Sequence, residues 1–178
     1  MSLDYVLLWA LVIGNGLATL LVIRQVAMLP KFSRPPGPRP GSQLDWALAT
    51  LDGTVRESSA MPAEYVMLFA SERCNACHAL FASIARFGRP EAHLVVAAES
   101  DGVMLEAAAR TDRARLYDEF LLGADVAFMQ RHGIPTTPYA VAVRLGRVVS
   151  AGPARTPTEL AQIADILRSG GALKTAKV

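Results

Sequence analysis

Apolar residues occur in blocks along the chain, and the longest block lies near its start. The residues from Tyr5 to Ile23 carry no charge, and a run of this length is typical of a helix that spans a membrane. The block begins after Asp4 and ends at Arg24, so it lacks the basic start of a secretory signal peptide. We therefore predict an uncleaved transmembrane anchor in residues 1–29, with a span of about 5–23.

Prolines and glycines recur immediately after this block, between Pro30 and Gly41. This composition favours a stiff and extended connection. We predict that residues 30–43 tether a folded domain of residues 44–170 to the anchor. We also predict that residues 171–178 form a flexible tail.

The middle of the domain has a strand–helix–strand pattern. Tyr65–Ala70 and His93–Ala98 are short apolar runs typical of buried strands, and Ala79–Phe87 between them has a helical pattern. Two strands joined in this way form a parallel pair with a right-handed crossover. The pattern therefore predicts an α/β domain.

Shorter strands are predicted on both sides of this unit. Leu44–Leu51 is followed by Asp52-Gly53, a favourable turn sequence, so a short strand or hairpin is expected up to Val55. Tyr139–Arg144 and Arg147–Ser150 are separated by a two-residue turn, which predicts an antiparallel hairpin.

The remaining patterns are helical. Val103–Arg110, Asp112–Leu122 and Val126–Arg131 have apolar residues at helical spacing. The last helix has a well-marked start, because Thr156 and Glu159 have the spacing of a capping box.

The chain has two cysteines, and both lie where the central strand gives way to the helix. Unpaired N–H groups and the helix dipole stabilise a thiolate at a helix N-terminus, and Arg73 adds a cation beside Cys74. Cys74 is therefore predicted to be the nucleophile. Cys77, one helical turn further in, is predicted to be less exposed and to attack a mixed disulfide formed on Cys74.

Other uses of the two cysteines remain open at this point. A zinc site would need more ligands at suitable spacing. The sequence Cys74-Asn75-Ala76-Cys77-His78 also fits c-type haem attachment, with His78 as one axial ligand and Met104 or Met129 as the second. The apolar strand directly before the motif favours the redox pair, which requires no cofactor. A non-catalytic assembly module is a third possibility.

Charge excludes one class of partner and leaves the orientation open. The formal net charge is +2 and the chain has no basic run, which argues against nucleic-acid binding. Basic residues follow the apolar block and none precedes it, which favours a cytoplasmic domain; they are Arg24, Lys31, Arg34 and Arg39. A disulfide-forming enzyme, in contrast, belongs outside the cytoplasm.

The order of these elements resembles the thioredoxin fold over about Asp45 to Ser169: strand, Cys-x-x-Cys helix, strand, Thr-Pro before a hairpin, and a final helix. Within that superfamily the chain is most similar to the membrane-anchored, peroxiredoxin-related branch, closest to the disulfide-isomerase-like accessory protein of methylamine utilisation. The resemblance rests on Arg24-Gln25-Val26 after the anchor, on Leu51-Asp52-Gly53 after the tether, and on Thr136-Thr137-Pro138-Tyr139-Ala140-Val141.

This resemblance implies a central mixed sheet flanked by helices. It implies that Thr137-Pro138 is cis, lies against the cysteines and contacts the backbone of a protein substrate. The expected partners are a protein that carries thiols or disulfides and a second protein that recycles the site. The anchored relatives work on the outer face of the bacterial cytoplasmic membrane, so a periplasmic domain is expected. The expected function is a membrane-tethered thiol–disulfide oxidoreductase that assists maturation of an envelope enzyme such as an amine dehydrogenase.

Five positions depart from the patterns of the superfamily. Arg73 replaces the frequent Trp before the first cysteine, and Asn75-Ala76 replaces Gly-Pro between the cysteines. Leu68 stands where thioredoxin has a buried acid, and Leu80 stands where some anchored relatives have Glu. Redox potential, direction of electron flow and substrate therefore do not carry over from the family.

Overall fold

The computed structural model describes residues 3–28, 37–99 and 116–169. The chain divides into two compact units, residues 1–34 and 35–178. The first unit contains helix α1, Leu3–Met28. Several of its apolar side chains are more than half exposed, namely Leu7, Leu11, Val12, Ile13, Leu17, Leu20 and Leu21. Counting the described residues alone, we find no helix that is both long enough and apolar enough to cross a membrane.

The second unit is built around one seven-stranded sheet with the strand order β2-β1-β5-β4-β3-β6-β7. The strands are β1 (Ala47–Thr50), β2 (Val55–Glu57), β3 (Glu64–Ala70), β4 (Leu94–Ala98), β5 (Glu119–Leu122), β6 (Tyr139–Arg144) and β7 (Arg147–Pro153). Among the described residues, the α-helices of this unit are α2 (Asn75–Phe87), α3 (Val126–Arg131) and α4 (Pro157–Arg168), and Ser58–Ala60 forms one turn of 3-10 helix.

The pairing of the strands confirms most of the predicted pattern. Strands β3 and β4 are parallel, and β3 pairs on its other side with β6 in the antiparallel sense. The predicted hairpins are present as β1–β2 and β6–β7, the second of which extends to Pro153. The sheet is therefore mixed, with β3 near its centre.

One predicted helix is wrong over its last six residues, because Tyr117 and Asp118 are not helical and a strand follows them. Glu119–Leu122, assigned from the sequence to a helix of residues 112–122, forms strand β5 parallel to β4. Phe120 and Leu121 point into opposite cores, and the alternating side chains of a strand let both be buried. Residues 112–115 and the predicted helix of residues 103–110 lie outside the described residues.

Side chains of β3 alternate between two hydrophobic cores. Val66, Leu68 and Ala70 face the core covered by α2 and α4. Tyr65, Met67 and Phe69 face the core that contains Phe128 of α3. All six side chains are at most 1% exposed. Burial on both faces fixes the position of β3, and therefore the position of the loop that follows it.

The start of α4 is the predicted capping box. The Thr156 hydroxyl accepts a hydrogen bond from the Glu159 amide at 3.2 Å, and the Glu159 carboxylate accepts one from the Thr156 amide at 3.1 Å. Leu160, Ile163 and Leu167 then face the first core, as the periodicity predicts.

The chain leading into β1 covers the outer edge of β7. The Gly41 amide donates to the Val148 carbonyl at 2.7 Å, and the Val148 amide donates to the Ser42 carbonyl at 2.9 Å. At Gly37 a Cβ atom would overlap the hydroxyl of Tyr139, so this close approach requires glycine. The contacts protect one edge of the sheet from pairing with another chain.

Asp118 links the loop before β4 to the start of β5. Its carboxylate accepts hydrogen bonds from Arg89 Nη2 at 2.8 Å and from the Leu94 amide at 2.7 Å. Burial acts to raise the pKa of Asp118, but the bonds from Arg89 and Leu94 outweigh it and hold the pKa below its usual value. The ionised form of Asp118 therefore stabilises the fold.

We expect Asp118→Asn to lower the free energy of unfolding by about 2 kcal/mol at neutral pH. Because the pKa of Asp118 is lower in the folded than in the unfolded state, its contribution is present above the unfolded value near 4 and is lost as the pH falls through the folded value. The difference in the free energy of unfolding between wild type and variant, measured by denaturant titration, should therefore become smaller below about pH 4. Asp165→Asn, at an exposed ion pair, is the control and should change little. A gap of equal size at acid and neutral pH would contradict this account.

Candidate redox site

The site is built at the end of β3. The strand stops at Ala70, a turn follows, and α2 begins at Asn75. The amide of Cys74 donates to the carbonyl of Ser71 at 3.1 Å, which closes the turn. Cys74 itself is the N-cap residue of α2. The buried strand thus fixes one side of the turn and the helix fixes the other.

Cys74 and Cys77 form a disulfide across the first turn of α2, with their Cα atoms 5.2 Å apart. Cys77 has no exposed surface, whereas Cys74 is partly exposed, so the predicted difference in exposure is observed. The Cys77 amide donates a hydrogen bond to Cys74 Sγ at 3.1 Å. In the reduced state the same N–H group would stabilise a thiolate at Cys74 more than a thiol.

The peptide bond between Thr137 and Pro138 is cis, as predicted. Phe69 of β3 is paired with Tyr139 of β6, so the Thr137-Pro138 bond lies beside the end of β3, where the redox turn begins. Pro138 is buried and Thr137 is partly exposed. The sheet therefore brings together the two segments that the sequence predicts for chemistry and for substrate binding.

Arg73 is exposed and directly precedes Cys74. Within the described ranges, its guanidinium forms no ion pair. A cation beside a thiolate favours the ionised form of the thiol.

His78 connects the first turn of α2 back to the redox turn. Its Nε2 lies 2.7 Å from the carbonyl oxygen of Glu72, and because a carbonyl only accepts, Nε2 carries the proton. The residues considered for haem attachment are engaged in other interactions here. Cys74 and Cys77 are bonded to each other, and His78 Nε2 donates to the Glu72 carbonyl. Met129, one of the two axial ligands considered for haem, packs against the second core, and Met104 lies outside the described residues.

Sequence reasoning missed a polar pair next to this site. The Ser71 hydroxyl donates to Glu99 Oε2 at 3.1 Å. Ser71 follows β3 and Glu99 follows β4, and these parallel strands are paired up to Ala70 and Ala98. Each residue is the first polar one after an apolar strand, and that signal could have placed both at the same edge of the sheet.

Over residues 3–28, 37–99 and 116–169, no three side chains of His, Cys, Asp or Glu are grouped so that they could hold a metal ion.

Comparison with known proteins identifies the fold. No protein-family profile matches the chain, and no curated protein matches it. A thio-disulfide isomerase from Thermus thermophilus is 24% identical, with a TM-score of 0.54 over 76% of this chain and 99% of that one. The thioredoxin domain of a thiol-disulfide oxidoreductase from Bacteroides vulgatus is 14% identical, with a TM-score of 0.54 over 75% and 98%.

A third solved structure is a secreted Mycobacterium tuberculosis disulfide oxidoreductase described as homologous to Escherichia coli DsbE. It is 21% identical, with a TM-score of 0.51 over 67% of this chain and 94% of that one. These likenesses, together with the mixed sheet, show that the second unit has a thioredoxin-like fold.

Proposed function

We propose that this chain is a thiol–disulfide oxidoreductase that exchanges disulfides with protein substrates through Cys74 and Cys77. The observation that carries the proposal is the Cys74–Cys77 disulfide at the start of α2, where a backbone N–H group already points at the Cys74 sulfur. The thioredoxin-like fold of the second unit supports it, since the structures similar to it include a thio-disulfide isomerase and the thioredoxin domain of a thiol-disulfide oxidoreductase.

The exchange has two balanced steps. The Cys74 thiolate attacks a substrate disulfide, forms a mixed disulfide and releases one substrate thiolate. The Cys77 thiolate then attacks the Cys74 sulfur and releases the second substrate thiolate, so two electrons pass from the domain to the substrate. The same steps in reverse oxidise a substrate dithiol, and a separate redox partner returns the site to its starting state.

Three further residues have assigned roles in this proposal. Arg73 lowers the free energy of the Cys74 thiolate through its positive charge. Thr137 and Pro138 form the docking segment for the substrate backbone. Support comes from their position beside the end of β3, next to the turn that holds Cys74.

The order of thiol reactivity tests the assignment of roles. In the fully reduced protein at about pH 6, we expect iodoacetamide to label Cys74 first, because it is partly exposed and stabilised as a thiolate. Mass spectrometry of the digested protein gives the ratio of the two products. Equal labelling, or faster labelling of Cys77, would reverse the assignment.

The proposal also includes a membrane anchor. It is supported by the uncharged apolar sequence from Tyr5 to Ile23, which α1 contains as a single helix, and by Arg24 directly after it. In the proposed layout the anchor occupies residues 1–29, the tether residues 30–43 and the redox domain residues 44–170, and the end of the tether from Gly37 to Ser42 packs on the domain beside β7 and Tyr139.

We place the redox domain on the periplasmic side of the membrane. Disulfide exchange with envelope proteins requires an oxidising compartment, and one of the similar structures is a secreted protein. An alkaline-phosphatase fusion after Val178 should be active and a fluorescent-protein fusion at the same position dark. The opposite result would place the domain in the cytoplasm and make a reductive role the better hypothesis.

The proposed branch is the accessory protein of methylamine utilisation, and the proposed client is an envelope enzyme such as an amine dehydrogenase. Support comes from the residues that carry the resemblance, chiefly Thr136 to Val141. If this is correct, loss of the chain should lower the amount of active dehydrogenase without lowering its transcript.

A further inference from the structure

Ser71 and Glu99 form a polar pair beneath the redox turn. Ser71 is 8% exposed, and among the Ser, Thr, Asn, Gln, His and charged residues that the structure describes it is the one whose side chain is buried. Its hydroxyl is bonded to Glu99 Oε2 at 3.1 Å, and its carbonyl accepts the amide hydrogen of Cys74 at 3.1 Å. One residue therefore connects the Glu99 carboxylate to the backbone of the cysteine at the redox site.

The position of Glu99 follows from the sheet. Ala70 is paired with Ala98, so the residues that come next leave neighbouring parallel strands side by side. All five residues of β4 are fully buried, which fixes the strand that ends at Glu99. A negative charge is thereby held at the edge of the sheet from which α2 starts.

The charges around Cys74 act in opposite directions. Arg73, the N-terminus of α2 and a protonated His78 favour the thiolate, whereas Glu72 and Glu99 oppose it. The loop from Gly133 to Pro138, on the other side of β3, contains no charged residue. The titratable residue directly before this loop is His132. Glu72 and Glu99 are both partly buried, but Glu99 is held in place by the hydrogen bond from the buried Ser71 hydroxyl, which fixes its charge beside the redox turn.

We infer that Glu99 is a positioning residue that limits the acidity of Cys74, with Ser71 holding its carboxylate beside the redox turn. This inference rests on the proposed function, since it concerns the thiolate that performs the exchange. Leu68 and Leu80 occupy the positions at which related proteins carry acids, and in this chain the acidic group comes from the adjacent strand.

Glu99→Gln separates the charge from the hydrogen bond, because the amide oxygen of Gln still accepts from Ser71. In the full chain, we expect this variant to raise the alkylation rate of reduced Cys74 at about pH 6 by roughly two- to fivefold. The fraction of reduced protein at a fixed glutathione ratio should rise with it, since a more stable thiolate favours the reduced state. Glu99→Asp keeps the charge and should restore both quantities towards wild type.

Glu91→Gln is the matched control, because it removes the same charge from an exposed position before β4, at the other end of the strand. It should leave the alkylation rate unchanged. A rate for Glu99→Gln equal to that of wild type, or an equal increase in Glu91→Gln, would overturn the inference. If instead reduced wild-type Cys74 were alkylated no faster than Cys77 at acid pH, the proposed nucleophile itself would be wrong. Failure of the inference and failure of the proposed function therefore give different results.

Discussion

Cys74→Ser should abolish disulfide exchange, whereas Cys77→Ser should capture substrates without releasing them. Loss of the attacking sulfur removes the first step, and we expect turnover to fall by about 10³-fold or more. Loss of Cys77 leaves the first step intact, because Cys74 keeps its helix N-terminus and its partial exposure. The mixed disulfide then persists, since no second sulfur is available to resolve it.

Non-reducing gels of the two variants, with a model disulfide protein as substrate, measure this difference. Cys77→Ser should give an adduct that reductant removes, and Cys74→Ser should give little. The double Cys-to-Ser variant is the control and should give none. Adducts of equal strength from both single variants would count against the assignment of nucleophile and resolving cysteine.

The second large effect concerns the anchor. Replacing Val12 and Leu17 with Arg places two charges in the middle of the apolar block of α1. Each Arg near the centre of a membrane helix costs about 2.5 to 3.5 kcal/mol on insertion scales. We therefore expect the full chain to move from the membrane fraction, where it should resist a high-salt wash, to the soluble fraction.

Leu145→Arg is the matched control for this experiment. Leu145 is 76% exposed at the β6–β7 turn, so the variant adds a charge in the redox domain and should remain with the membrane. Recovery of the unaltered chain in the soluble fraction would contradict the anchor. Retention of the double variant in the membrane would contradict it equally.

The core of the redox domain could be predicted because its signals are local. Apolar runs bounded by polar residues identify β3 and β4, and the spacing of Thr156 and Glu159 identifies the start of α4. Pro138 precedes an apolar strand, a position that permits a cis peptide without loss of a ladder hydrogen bond. Each of these features depends on residues close together in sequence.

Features that depend on distant residues could not be predicted in the same way. Glu119–Leu122 has a short apolar pattern that fits a helix or a strand. It forms a strand because it pairs with the edge of β4. The Ser71–Glu99 bond depends on the register of β3 against β4, which sequence periodicity leaves undetermined. The composition around Gly37 predicts a spacer, whereas glycine is needed there because the side chain of the distant Tyr139 lies against it.

A redox titration of the full chain tests the central claim most directly. The protein is equilibrated over a range of glutathione ratios, and the free thiols are then blocked and counted by mass spectrometry. We predict a single two-electron transition, in which Cys74 and Cys77 change from disulfide to dithiol together. For such a transition, a change of about 30 mV in potential corresponds to a tenfold change in the equilibrium constant. The account would be contradicted if the two thiols reacted independently with the blocking reagent and no disulfide formed at any glutathione ratio.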